Sequence, residues 1–283
     1  MLRAGLTLGL CLWAGTAQAQ TMRPFSTFRQ LHGETRLDAR LEYGAGSLRL
    51  EPGQPNELYR MNLSYDDDRF VPVSDFDAAS RSVVLGLRAR GQGGVRVVSQ
   101  RQLLQVASVA ISPRVDLALD LTLGAVDADL ELGGLRLSTL DLKTGASRAR
   151  VRFSRPNPMR CGRASFGAGA AEVEVLDLGN SRCEEIDFEG GVGKVLLDFG
   201  GASSSSARVN VKMAVGGITL RLPPGAGIRI RMDKFLSSFE PAGLVRRGDA
   251  FVSRNYDSAK RHLDFDLTTA MGGVDVEWIP GER

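Results

Sequence analysis

The chain has 283 residues, of which 36 are Lys or Arg and 33 are Asp or Glu, for a formal net charge of +3. Charge so nearly balanced excludes the basic field of a nucleic-acid binder. Thirty-three glycines, few aromatics and repeated Leu/Val alternation point to an all-β protein.

Residues 1–19, MLRAGLTLGLCLWAGTAQA, hold one cation (Arg3), an apolar run and a small-x-small end at Ala17-Gln18-Ala19, which is the grammar of a secretory signal peptide. Cys11 reads poorly as a lipidation site, because Leu10 precedes it where a small residue is needed. No apolar run of membrane-spanning length follows. The mature chain, from Gln20, is therefore expected in the periplasm or outside the cell, without membrane insertion. Two cysteines, Cys161 and Cys183, enter that oxidising compartment.

Residues 20–112 form an N-terminal β region. LDARLEYGAGSLRLEP, ELYRMNLSY and RSVVLGLRA read as antiparallel strands joined by polar turns. Asp66-Asp67-Asp68 lacks the alternate spacing and bidentate Glu of a calcium loop and reads as a solvated turn. Gly91–Gly94 marks a loop, and residues 99–111 read as strand rather than helix.

Residues 113–222 repeat. An apolar anchor three residues before a Gly or Ala, with another apolar residue four after it, recurs in LTLGAVDA, LKTGASRA, FGAGAAEV, FEGGVGKV and VKMAVGGI. The anchors are Leu121, Leu142, Phe166, Phe188 and Val211, and they step by about 21–24 residues. LEYGAGSL (Leu41) and LTTAMGGV (Leu267) carry the same grammar outside this run. Each unit reads as strand, small-residue corner, strand and loop, and a step of this length is one coil of a β-solenoid.

Stacking such coils predicts what faces what. Ala128/Leu130/Leu132, Ala149/Val151/Phe153, Val173/Val175, Val195/Leu197/Phe199 and Ile218/Leu220/Leu222 should point inward. Asp127, Arg148, Glu172 and Lys194 should form one outward column, Asp129, Arg150 and Glu174 the next, and Glu131 should neighbour Arg152. The run GASRARVRF (145–153), which alone resembles a strip laid out for a polyanion, then becomes one basic rung between acidic rungs about 4.8 Å away. Cys161 and Cys183 each lie five residues before an anchor. They should therefore meet across adjacent coils as a disulfide closing a loop of about 22 residues, worth roughly 3 kcal/mol in the chain-entropy model. One column departs from sign alternation. The position before each anchor reads Asp120, Asp141, Ser165, Asp187, Asn210 and Asp266, either a solvated face screened by Lys143 and Lys212 or a polar face for a cation or glycan. Residues 223–283 form a C-terminal cap: PPGAG breaks the pattern, 228–262 is an insertion containing strands, and HLDFDLTTAMGGVDVEWI returns to the coil grammar.

LEYGAGSLRLEP, LDLTLGAVDADLEL, LDLKTGASRARVRF and FVSRNYDSAKRHLDFDLTTAMGGVDVEWI resemble the toast-rack domain and the related LiaF-type, cell-wall-active antibiotic response region. The resemblance covers most of 40–283. It implies a β-solenoid with an N-terminal β region, no established enzymatic activity and no catalytic residues to transfer. LiaF-type members carry helices ahead of the β domain, where this chain carries a signal peptide.

The chemistry-bearing motifs are absent. His32 and His262 are far apart, no G-x-S-x-G or H-E-x-x-H occurs, and no glycine corner is followed by the Lys-Ser/Thr of a phosphate loop. No catalytic residue, metal or cofactor is expected. Three readings of function follow. The first is a non-catalytic exported solenoid presenting a rigid surface to an envelope component or protein partner. The second is a carbohydrate-active β-helix enzyme, which would need a groove with a carboxylate pair and aromatic platforms. The third is a regulator of envelope-stress signalling, implied by the resemblance. The disulfide has a direct check: thiol titration of the unreduced mature protein should find neither Cys161 nor Cys183 reactive, and both after reduction under denaturing conditions.

Overall fold

In the computed structural model, residues 22–90, 104–202 and 205–280 are described, so the expected signal peptide and most of the segment around Gly91–Gly94 lie outside the described residues. Apolar side chains at every second position make strands, and sixteen of them form one sheet. They are β1 (Met22–Gln30), β2 (Arg36–Pro52), β3 (Glu57–Asp66), β4 (Phe70–Asp77), β5 (Ser82–Ala89), β6 (Val106–Ile111), β7 (Asp116–Glu131) and β8 (Arg136–Thr144). After these come β9 (Arg148–Arg152), β10 (Cys161–Leu176), β11 (Cys183–Asp198), β12 (Ala207–Leu222), β13 (Gly227–Glu240), β14 (Leu244–Arg247), β15 (Ala250–Ser253) and β16 (His262–Trp278).

The long strands each have two arms. In β7 the buried positions are Leu117, Leu119, Leu121 and Leu123 before Gly124, then Val126, Ala128 and Leu130 after it. The alternation slips by one residue, so both arms face one core only because the backbone turns between them. The arms pair separately: Asp116–Leu123 of β7 runs parallel to β8, and Asp127–Glu131 runs parallel to β9. β10, β11 and β12 then stack in parallel, β16 lies on β12, and β13 lies on β16.

This register places the anchors in one interior column. Leu41 pairs with Leu121, Leu121 with Leu142, Leu142 with Phe166, Phe166 with Phe188, Phe188 with Val211, and Val211 with Leu267. All are buried, as are the inward residues of the second arms. Truncating one such leucine to alanine in a close-packed column costs about 2–5 kcal/mol.

The N-terminal region is more coil-like than its sequence suggested. The antiparallel pairs are β1–β3, β3–β6 and β4–β5. β2 instead runs parallel to β7 along both arms, and parallel to β5 by its first arm and β6 by its second. β5 and β6 thus act together as one further layer, over which the reversed strands β3 and β4 close the end. Alternation specifies which side chains point inward but not the direction of the neighbouring strand, so parallel and antiparallel partners look alike in sequence. The sheet is continuous from β1 to β14, and the divisions at residues 112 and 222 do not interrupt it.

Corners are where coils approach most closely. A Cβ on Gly124 would overlap the carbonyl oxygen of Gly44 in the layer beneath. A second set of close-approach glycines, Gly46, Gly193, Gly216 and Gly272, not read from the sequence, follows two places later. Gly216 has φ of +141°, and a Cβ there would overlap the Gly193 carbonyl oxygen. Its neighbour Gly217 has nothing within 4 Å of the equivalent point. Gly216→Ala should therefore cost more than about 2 kcal/mol of unfolding free energy, from steric overlap and a left-handed backbone together, while Gly217→Ala should stay within about 0.5 kcal/mol of the parent. Urea titration of the two variants compares them directly.

Candidate binding surfaces

The second arms carry the charge ladder. Arg148 lies between Asp127 and Glu172, and Arg150 lies between Asp129 and Glu174. Arg148 Nε is 3.3 Å from Glu172 Oε2, Arg150 Nε is 2.8 Å from Glu174 Oε2, and Arg49 of β2 reaches Asp129 at 3.7 Å. The hydrogen bond from Arg150 to Glu174 raises the guanidinium pKa further, with the Coulombic field of the same carboxylate second. Glu131 and Arg152 are register partners, but Glu131 Oε1 accepts from the backbone N–H groups of Gly133 at 2.7 Å and Ser154 at 3.2 Å. The backbone donors of the adjoining turns claim that carboxylate.

The first arms carry the Asp/Asn column. Register places Asp120 beside Asp141, Asp141 beside Ser165, Ser165 beside Asp187, Asp187 beside Asn210 and Asn210 beside Asp266. Arg40 continues the column at one end and Arg231 at the other. Every carboxylate in it has a partner. Arg40 lies 3.7 Å from Asp120, Lys143 2.7 Å from Asp141, Arg163 2.7 Å from Asp187, and Arg231 2.8 Å from Asp266. Asn210 Nδ2 donates to Asp187 Oδ1 at 2.8 Å. Two adjoining depressions of about 610 Å³ and 430 Å³ run along this face, meeting at Asp141, Arg163 and Ser165. Carboxylate, guanidinium, hydroxyl and amide groups line them together with the flanks of apolar residues such as Val84, a mixed surface that can hydrogen-bond a ligand and pack against its apolar parts. Among the described residues no cluster of three or more His, Cys, Asp or Glu is arranged to hold a metal ion.

Other expected features find definite places. Cys161 and Cys183 are register partners joined in a disulfide, with their Cα atoms 4.1 Å apart. Asp66 is 2% exposed rather than solvated, and it anchors the turn through Arg69 and the Asp68 N–H. Asp67 lies between Arg23 and Arg90. A ring nitrogen of each histidine donates to a backbone carbonyl: Nδ1 of His32 to Gln30, and Nε2 of His262 to Tyr256. The Asp177 carboxyl is held above its ordinary range, by burial first and by the charge of Asp198 on the next coil second. It lies in the inter-coil turn, away from both depressions.

The sequence reading missed the buried asparagines. Asn157 donates through Nδ2 to the carbonyls of Leu137 at 2.8 Å and Ser181 at 3.0 Å, one coil to either side, and accepts from the Leu137 N–H at 3.2 Å. Asn180 repeats the device, donating to Phe153 at 2.8 Å and accepting from Ala202 at 2.8 Å. An amide that both donates and accepts satisfies turn backbone on two neighbouring coils without leaving a buried polar group unpaired.

Parallel coils stacked over a small-residue corner make this chain an all-β solenoid. The family model for the "N-terminal domain of toast_rack, DUF2154" matches residues 17–175. The chain belongs to that family. Among solved structures, a "putative cell adhesion protein" from Clostridium sporogenes is 15% identical, with 92% of this chain and 100% of that one covered at a TM-score of 0.50. A "putative adhesin" from Bacteroides fragilis is 8% identical, with 92% and 98% covered at a TM-score of 0.41. No curated protein matches the chain.

The ladder has a mutational signature. Arg150→Glu would set three carboxylates in register, so it should lower the melting temperature. The loss should shrink as salt is raised, and adding Glu174→Arg should recover part of it. Thermal melts at low and high salt read all three effects.

Proposed function

We propose that this protein is a non-catalytic, exported scaffold whose first-arm face holds a polar component of the cell envelope, such as a glycan chain. The observation that carries the reading is the pair of adjoining depressions at Asp141, Arg163 and Ser165, on a face that the coil stack holds rigid. Export is supported by the disulfide between Cys161 and Cys183, together with the signal-peptide grammar of residues 1–19. Among the described residues no helix is long and apolar enough to cross a membrane.

The chemistry favours holding over turnover. Asp120 and Asp141 are register neighbours on adjacent strands, the kind of carboxylate pair a glycosidase would need. Yet each is ion-paired, to Arg40 and Lys143, and no aromatic side chain is exposed beside them as a sugar platform. Both histidines are committed to local backbone carbonyls. Pairing also weakens the cation alternative for Asp120, Asp141, Asp187 and Asn210, since a metal would have to displace an arginine or lysine from each carboxylate.

Two measurements test the reading. Immobilised envelope polysaccharide should retain the protein, and Ser165→Arg, which fills the place where the depressions meet, should abolish retention without altering the melting temperature. Equal retention by parent and variant would remove the face from consideration. Millimolar calcium should leave the melting temperature unchanged; an upward shift would restore the cation reading.

A further inference from the structure

The two ends of the sheet are finished differently. At one margin lies β1, which carries Arg23, Pro24 and Arg29, and the guanidinium of Arg60 stacks over Phe28 with its carbon 4.7 Å from the ring centroid. Proline and charge are common means of blunting a free strand edge. At the other end β15 covers β13 over Arg229–Arg231 only. Among the described residues no strand pairs with the outer margin of β13 from Met232 to Glu240. Within that margin Phe235-Leu236-Ser237-Ser238-Phe239 contains no charge, proline or glycine. Phe235 is 80% exposed and Leu236 is 64% exposed.

Register sharpens the contrast. Leu236 stands beside Met271, which stands beside Val215, which stands beside Val192, so it ends a column of exposed apolar residues. Phe235 stands at the corner level that Gly191, Ala214 and Ala270 occupy in the preceding coils. Head-to-tail growth of coil upon coil is closed at one end by the reversed strands β3 and β4, and at the other it meets this bulky corner. Two identical margins meeting about a two-fold axis would cover each other.

We propose that β13 is a homodimer interface, formed by antiparallel pairing of its free margin with the same margin of a second copy. Pairing about Ser237 sets Phe235 opposite Phe239 of the second copy. It also sets position 234, a lysine, opposite position 240, a glutamate, on both sides of the axis. The joined sheets satisfy backbone groups that an edge strand leaves to water, cover two exposed apolar side chains per chain, and oppose unlike charges.

Sedimentation of the purified protein across a dilution series from millimolar to micromolar tests the proposal. A reversible monomer–dimer equilibrium is expected. Leu236→Lys and Glu240→Lys, both at exposed positions, should each weaken the dimer at least about tenfold while the monomer melts as before. Adding Lys234→Glu to Glu240→Lys should restore association. A chain that stays monomeric throughout, or a dimer indifferent to Leu236→Lys, overturns the proposal. Failure of the charge swap to restore association overturns the pairing about Ser237.

Discussion

The constraint on which the rest depends is the approach of backbone to backbone at the corners. Each coil passes so near the one beneath that a Cβ at Gly124 or Gly216 would occupy the place of a carbonyl oxygen. Small residues at these levels let both arms of every coil remain in parallel register with the next. The interior then becomes a set of apolar columns running the length of the stack. A coil displaced by one residue would bring a side chain to the corner and turn its leucines outward, so sterics and burial reject the same errors.

Charge performs a different task on each outer face. On the second arms, alternation of sign from coil to coil turns what looks like a basic strip into a ladder, and it leaves little net field to draw a polyanion. On the first arms, the carboxylates repeat without alternation; Arg40 and Arg231 pair them at the two ends of the column, and Lys143 and Arg163 reach in from beside it. The two faces share the same strands and differ in where the counter-charge originates.

Much of this was readable residue by residue. The spacing of Leu121, Leu142, Phe166, Phe188 and Val211 placed the anchor column, and the same alignment put Arg150 beside Glu174 and Cys161 beside Cys183. The polar turns hid more. Asn157 and Asn180 sit in segments without periodicity, where an asparagine reads as a solvated turn residue, and their work is visible only once three coils are brought together. Asp66 misled for the same reason: a run of aspartates in a turn implies water, while the turn itself folds back onto Arg69. The direction of β2 was equally hidden, since its alternation fits partners of either sense.

The sequence by itself determined the repeat, the inward and outward faces, and which charged residues stand beside one another on successive coils. These follow from local periodicities, and every coil obeys the same ones. Tertiary structure alone decided the contacts that join segments with no shared period. Among them are the layering of β5 and β6 over β2 and the insertion of β16 between β12 and β13. The margin of β13 that no described strand pairs with belongs with them. Such contacts depend on which strand arrives beside which, and alternation of apolar residues carries no information about the identity or direction of a neighbour.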